Sequence, residues 1–590
     1  MRFPLLSLCA LAVLSAISPG ADRASKPNVL VILADDQGWG DTSLNGNTNL
    51  STPNVEALAR AGAMLDHFYV CPVCSPTRAE FLTGRYYPRG GVRDVSTGQE
   101  RLNPDEKTIA DTFKAAGYAT GAFGKWHNGS QWPFHPNARG FGEYYGFTSG
   151  HWGEYFDPPL EHNGEFVRGK GYIADDLANH AMDFMEKNKD HPFFCYLPFN
   201  TPHSPYCVPD EYWDRFKNKD ITMRGSLGEK EDLPVTRCAL AMCENLDWNV
   251  GRVLHRLDEL HLSENTIVVY FSDNGPASRR WNGGMRGIKG STDEGGVREP
   301  FVIRWPGKIK PGTKLTEIAS DIDLLPTLAK LADVPIASTK PLDGVDLSPL
   351  LLGATTQWPD RLIFTTFRGP ISVRSQKYRL DSKGALYDME ADPGQEKDIA
   401  RDQPEMAAKL SQAVAAWRKD VFGPDEQTHD DRPFTVGYRE FPMTPLPARD
   451  GVPHGGVKRS SRAPNSSYFV NWKTTDDTIT WDVEVNTPGD YEAAIYYTCP
   501  TADAGATVEL SLNGSKTNGK VSPGWDPPLI DGQDRVPRKE ESIMKEFHPL
   551  RLGNFHLEHG RGLLTLRALD IPGHSVMDVR MVTLTLKPAQ

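Results

Sequence analysis

Cys71-Pro72-Val73-Cys74-Ser75-Pro76-Thr77-Arg78-Ala79-Glu80-Phe81-Leu82-Thr83-Gly84-Arg85 is the stretch around which this chain is organised. Ser75 is a favourable N-cap, Pro76 suits the first helical position, and Phe81 and Leu82 supply an apolar face. The spacing therefore predicts a helix that opens just after Cys74. Such an opening offers free N–H groups and the positive end of the peptide dipole, which favour an anion. Arg78 lies about one turn in and can reach back toward Cys74. A cysteine in that setting is chemically poised. The plain alternative is a buried structural cysteine at the start of an ordinary helix. Cys71 and Cys74 also have the spacing of a redox pair, but no thioredoxin-like pattern surrounds them.

Working outward, Val29 to Leu33 is an apolar run suited to a buried parallel strand, and it leads into Asp35 and Asp36. Thr266 to Phe271 is a second such run, leading into Asp273 and Asn274. Two oxygen-bearing pairs thus fall at the carboxyl ends of strands, where open α/β sheets place ligands. Oxygen donors suit a hard divalent ion, and Ca²⁺ tolerates irregular geometry better than Mg²⁺. The same residue types also cap helices and form turns. Tyr118 to Phe123 predicts a further strand, followed by Lys125 and His127 on one side of extended chain. Phe193 to Phe199 predicts another, followed by His203. Helices are predicted over Val55–Ala61, Thr108–Ala116, Ala174–Lys187 and Cys238–Leu260, and Lys289 lies in a glycine-rich segment before the strand-like Phe301–Trp305. This alternation predicts an α/β fold with a mainly parallel sheet flanked by helices.

Residues 131–171 are rich in Gly, Pro and aromatics and contain His151, either a substrate contact or part of a packed loop. Arg93, Asp94, Arg279, Arg280 and Trp281 either reach a sugar from neighbouring loops or, the plainer reading, are solvated surface residues. Residues 351–422 predict a small α+β subdomain, and the polar, Pro- and Gly-rich 423–467 reads as a linker. From 468 to 590 the pattern changes to alternating strands, with a hairpin turn at Asn513-Gly514, and predicts an all-β sandwich. That module either binds sugar or packs structurally against the rest.

The chain carries 77 acidic against 65 basic side chains, a net charge of −12, which argues against nucleic acid as its main partner. Any anion must be bound by a local cationic cluster. Arg2, the apolar Leu5–Ile17 and the small residues near Gly20 read as a signal peptide over 1–21, too short to span a membrane. The mature protein is expected to be exported, periplasmic or secreted, with no membrane span. Its cysteines are too sparse for a disulfide scaffold, although a bridge or two would be compatible with export.

Cys74-x-Pro76-x-Arg78 followed by Thr83-Gly84-Arg85 resembles the signature of type I sulfatases, members of the alkaline phosphatase superfamily. The resemblance covers roughly residues 27 to 420 and implies an alkaline-phosphatase-like catalytic domain over 25–350, with 351–422 as its C-terminal subdomain. It implies that a maturation enzyme converts Cys74 to formylglycine. Residue 74, Asp35, Asp36, Asp273 and Asn274 would then hold one Ca²⁺. Arg78, Lys125, His127, His203 and Lys289 match the remaining catalytic positions. The implied activity is hydrolysis of O-sulfate esters: a hydrated aldehyde at residue 74 attacks sulfur, the alcohol leaves, and collapse of the sulfated hemiacetal releases sulfate. His127 would be the base for the collapse, and His203 with Lys289 would serve the leaving oxygen. Asn128 departs from the pattern, since a Leu is usual after Lys-Trp-His. Export and the extra module point to a sulfated polysaccharide or oligosaccharide as substrate. The alternatives are a phosphate or phosphonate ester hydrolase of the same superfamily and a non-catalytic glycan-binding protein. The intact cysteine motif argues against the first, and the complete set of site residues against the second.

Overall fold

The computed structural model describes residues 26–225, 230–423, 426 and 429–588, so the expected signal peptide lies outside the described residues. At the centre of a ten-stranded sheet are β1 (Asn28–Asp35), β2 (Ala119–Lys125), β3 (Phe193–Pro202) and β4 (Thr266–Ser272). β1 runs parallel to β3 on one side and to β4 on the other, and β2 runs parallel to β3. Every residue of β1 is buried, because both faces are covered. Leu30 and Ile32 face a layer containing Leu177, Leu246 and Val250 from the long helices Ile173–Lys187 and Leu233–Glu259. Val29, Val31 and Leu33 face Phe81, Phe113 and Leu328 from helices on the opposite face. The continuous apolar runs in the sequence are thus two alternating faces, each with its own helical layer. Strand Phe301–Arg304 pairs antiparallel with β4, so the sheet is mixed toward its edges.

Because β1 to β4 point the same way, their carboxyl ends open at one rim. The signature helix spans Cys74–Thr83 with Val73 at its N-cap, and Gly84 closes it in the left-handed conformation at φ 66°. Cys74 is therefore the first helical residue, and the helix starts two residues earlier than a Ser75 cap would give.

A four-stranded antiparallel sheet, Ile363–Thr366 to Leu386–Asp388, packs against helix Pro404–Phe422 as the expected α+β subdomain. It supports the rim: Arg379 is wholly buried and pairs with Glu294 at 2.8 Å, just beyond the Lys289 segment. The C-terminal module is a sandwich of two six-stranded sheets. The stretch read as a linker is largely part of it. Phe434–Val436 and Val452–His454 pair with Thr478–Val485 in one sheet, while Met443–Pro447 and Lys458–Arg459 join the other. Prolines and glycines hide these strands from a periodicity reading, yet Phe434, Val436 and Leu446 are buried in the sandwich core. The Asn513-Gly514 turn joins Thr507–Leu512 to Ser515–Lys520 as expected, with both residues at positive φ.

Candidate active site

The four strand ends bring the expected residues together at one rim. Asp35 closes β1, and Asp36 follows it at φ 66°, a left-handed value that Asp tolerates better than most residues. The turn directs the Asp36 N–H at Asp273 Oδ1, 3.2 Å away. Asn274 Nδ2 donates to Asp36 Oδ1 at 2.8 Å, so the ends of β1 and β4 are stitched together. The signature helix is fastened to the same point: Thr77 Oγ1 donates to the Asp273 carbonyl at 2.6 Å and accepts from the Cys71 N–H at 3.0 Å.

Arg78 is completely buried, and its hydrogen bonds go to partners other than Cys74. Its Nη2 and Nε donate to Asp273 Oδ2 at 2.8 and 3.2 Å, and its Nη1 donates to the Lys125 carbonyl at 2.6 Å. Lys125 Nζ bridges both oxygens of Asp35 at 2.9 and 2.7 Å. Lys289 Nζ lies 2.6 Å from Asp36 Oδ1. Each expected cation therefore holds an expected carboxylate. Burial would raise Asp35, but Lys125 and Arg78 hold it well below the ordinary carboxylate range. Asp36 is likewise lowered, by Lys289 against burial. Asp273 is different: burial and the neighbouring Asp35 push it up to about 7.

The sulfur of Cys74 and carboxylate oxygens of Asp35 and Asp273 lie within 4.8 Å of one another. Burial raises the Cys74 thiol even though Lys125 and Lys289 pull it down, so it is not a ready thiolate. Asn274 Oδ1 is buried without a hydrogen-bond partner. Clustered buried carboxylates, one of them reluctant to ionise, beside an unsatisfied amide oxygen fit a hard divalent cation.

Both expected histidines are buried and neutral. His127, at φ 66°, directs Nε2 to the Val95 carbonyl at 2.8 Å. A carbonyl only accepts, so Nε2 carries the proton and Nδ1 keeps its lone pair, buried without a partner. Burial and then Lys125 hold His127 well below its usual range. His203 donates from Nδ1 to the Ser204 carbonyl at 2.7 Å, leaving Nε2 without a hydrogen-bond partner and 3.5 Å from Asp36 Oδ2. Burial pushes His203 down to about 3. Lys289 moves the other way: burial would lower it, but Asp36 and its neighbours raise it, so it stays cationic.

His151 also reaches the site, its ring edge-on to His203 with centroids 4.3 Å apart. The side chains of His151 and Lys289 are each 21% exposed, whereas those of Asp35, Arg78, Lys125 and Asp273 are at most 1% exposed. The rim thus opens beside His151 and Lys289. The mild departure at Asn128 is absorbed locally: its amide donates to Ser75 O and Oγ at 3.2 Å, at the signature helix.

Arg280 is not a solvated surface residue. It is buried, forks onto Asp41 at 2.7 and 2.6 Å, and donates to the Asp36 carbonyl at 3.1 Å, bracing the turn. Asp94 pairs instead with Arg368, away from that turn. The described cysteines are all buried and free, so Cys71 and Cys74 form no bridge. Sequence reasoning missed Thr77, Asn465 and Glu541. Thr77 stands inside the quoted stretch and could have been weighed, whereas Asn465 and Glu541 come from the C-terminal module and carry no local signal.

Comparison with known proteins gives this geometry a family. A sulfatase family profile matches residues 27–334, and a profile for the N-sulphoglucosamine sulphohydrolase C-terminal region matches 289–420. The chain belongs to the sulfatase family and is a sulfuric ester hydrolase. It is 34% identical to N-acetylgalactosamine-6-sulfatase of Canis lupus familiaris over 391 residues, covering 60% of this chain and 71% of that one. It is 34% identical to arylsulfatase A of Homo sapiens over 428 residues, 65% of this chain and 80% of that one. Among solved structures it resembles Ps i-CgsB in complex with k-i-k-neocarrahexaose, at 30% identity and TM-score 0.62, over 69% of this chain and 95% of that one. Sulfatases generally use a formylglycine and a divalent metal. Among the described residues, no helix is long and apolar enough to cross a membrane.

Proposed function

We propose that this protein is an exported sulfatase that removes O-sulfate from a sulfated polysaccharide or oligosaccharide. Cys74, converted to formylglycine by a maturation enzyme, is its nucleophile. The observation that carries the reading is the pairing of each buried cation with a buried carboxylate around Cys74, beside a buried Asn274 Oδ1 with no partner. Asp35, Asp36, Asp273, Asn274 and residue 74 are the groups that would hold Ca²⁺, with Mg²⁺ less suited to the irregular donor set. When bound, the ion and the aldehyde hydrate supply charge neutralisation and an activated hydroxyl.

The remaining work falls to the chain. Arg78 fixes Asp273, and Lys125 fixes Asp35 while contributing positive charge near the sulfuryl group. His127 Nδ1, a buried lone pair on a neutral ring, is placed to act as base toward a hydroxyl at residue 74. Lys289, which stays cationic, offsets the charge growing on the leaving oxygen and is the proton source there, while the lone pair at His203 Nε2 can accept a proton. His151, at the open edge, meets the sugar. The chain's similarity to N-acetylgalactosamine-6-sulfatase and to a structure in complex with a neocarrahexaose supports a sulfated sugar as substrate. The apolar Leu5–Ile17 supports export.

The test is peptide mass spectrometry across residue 74. It is paired with sulfate release from N-acetylgalactosamine-6-sulfate, k-i-k-neocarrahexaose and 4-nitrophenyl sulfate, with Cys74→Ala as control. Formylglycine together with release abolished in Cys74→Ala supports the reading. Fully converted protein that releases no sulfate but hydrolyses 4-nitrophenyl phosphate overturns it.

A further inference from the structure

The family-matched residues end at 420, yet two segments of the β-sandwich reach the site, one at the carbonyl that anchors His127 and one at His151. Asn465 Nδ2 donates to the Val95 carbonyl at 2.9 Å, the same oxygen that receives His127 Nε2. On the other side, Glu541 Oε1 accepts from Ser204 Oγ and lies 3.4 Å from His151 Nδ1. That separation is long for a hydrogen bond but short enough to orient the ring. The Glu541 side chain is only 5% exposed. Its segment is fastened to the chain beyond His203. Arg535 N donates to Tyr206 O at 2.9 Å, its guanidinium donates to Val208 O at 2.7 Å, and Cys207 Sγ donates to Asp534 Oδ1 at 3.1 Å. The sandwich is thus a wall of the catalytic site.

We propose that Glu541 is a positioning residue for sugar recognition: its carboxylate holds His151 by Nδ1, so that the exposed side of the imidazole meets a hydroxyl of the sulfated sugar. The inference rests on reading His151 as a substrate contact. Nδ1 of His151 is buried, makes no hydrogen bond of ordinary geometry and has Glu541 Oε1 at 3.4 Å, while the residue as a whole is partly exposed, so the open part of the ring is the side away from Glu541. A buried carboxylate behind an imidazole fixes its tautomer and orientation. Burial opposes ionisation of Glu541, yet His151 and Ser204 hold it down at about 2, so the carboxylate is charged when it does this. An aryl sulfate has no sugar hydroxyl and should be nearly indifferent to the arrangement.

The experiment compares mature wild type, Glu541→Gln, Glu541→Asp, His151→Ala and the Glu541→Gln/His151→Ala double variant, with melting temperatures recorded for each. Substrates are the two glycans named above and 4-nitrophenyl sulfate. In Glu541→Gln, kcat/KM for the glycan should fall about tenfold more than for the aryl sulfate, a difference of about 1.4 kcal/mol carried mainly by KM. Glu541→Asp should recover part of the loss, and the double variant should be no worse than His151→Ala alone. Equal losses on both substrates with a lowered melting temperature would make Glu541 a structural latch and overturn the proposal. So would additive losses in the double variant, or a wild type that cleaves the aryl sulfate and neither glycan. If His151→Ala raises the glycan KM and Glu541→Gln does not, the reading of His151 stands and that of Glu541 falls.

Discussion

Replacing Arg78 by Lys keeps the charge and removes the fork. The guanidinium donates to Asp273 Oδ2 from two nitrogens and to the Lys125 carbonyl from a third, and none of it is solvent-accessible. A Lys ammonium is a single point on a flexible stem and cannot serve both partners from one position. If it stays on Asp273, the buried Lys125 carbonyl loses its donor, at a cost of about 1–3 kcal/mol. If it moves to the carbonyl, Asp273 loses its cation beside Asp35. Breaking a buried pair from one side costs about 3–5 kcal/mol. In that second case Asp273, already raised to about 7, ionises less readily. The geometry that Arg78 imposes on both strand ends is then lost. We expect Arg78→Lys to lower kcat for 4-nitrophenyl sulfate by about 10²–10³, the range for losing one preorganised electrostatic group. Its divalent-ion content after dialysis should also fall below that of wild type. The assays are steady-state kinetics on fully matured protein and elemental analysis. A variant within about threefold of wild type, with full ion content, would show that charge alone suffices and that the fork is incidental.

Further outcomes follow from the same contacts. Asp273 is raised to about 7, so protons compete with a divalent ion below that pH; Ca²⁺ affinity measured by calorimetry should weaken as pH falls from 8 to 5, by at most about tenfold per unit. Asp321 is buried beside the signature helix and pushed up to about 8, so the folded state holds a proton that the unfolded chain releases near 4. Its contribution to stability is full below the unfolded value and is lost as pH rises to about 8. Relative to wild type, Asp321→Asn should therefore gain stability from pH 5 to pH 8, by at most about 1.4 kcal/mol per unit, as read by chemical denaturation. A β-carbon at Gly150 would sit 2.3 Å from His127 Nε2 and 2.4 Å from Asn465 Nδ2, the two donors that share the Val95 carbonyl. Gly150→Ala should lower kcat at least about tenfold, because displacing the imidazole costs more than the roughly 1.4 kcal/mol that a tenfold loss represents. An unchanged kcat would mean that the His127 position does not matter.

The catalytic half of the molecule was legible because its signals are local. Asp35 and Asp36 follow an apolar run, as do Asp273 and Asn274, and the chemistry of an open sheet is set where such runs end. What could not be read was which cation holds which carboxylate. Arg78 is close to Cys74 in sequence but is spent on Asp273, 195 positions away. That pairing depends on how the signature helix is docked, and Thr77 sets the docking by bonding to the Asp273 carbonyl. Arg280 was misread for a related reason: an Arg in a glycine-rich polar stretch looks solvated until its partner Asp41 is placed beside it.

The β-sandwich shows the limit more sharply. Its own strands were partly visible by alternation, but Met443–Pro447 has prolines where alternation would be read, and it still pairs along the sheet edge with Asp578–Leu586. Strand pairing in a sandwich is a long-range property, fixed by which faces can be buried together rather than by any one segment. The same holds for its contribution to the site. Asn465 sits in a short turn and Glu541 in a loop without regular structure, so neither position has a periodicity to betray it. They matter because the sandwich is docked with Asn465 over Val95 and Glu541 over Ser204. Had the module been merely tethered, a linker of about 40 residues would suit it. Instead Phe434–Val436 follows closely on the end of helix Pro404–Phe422 and is already paired in the sandwich, and Arg101 is anchored by the carbonyls of Arg432 and Pro433. The short connection and the buried anchor fix the module against the catalytic domain, and that rigidity is what allows a residue 338 positions after His203 to orient a side chain beside it.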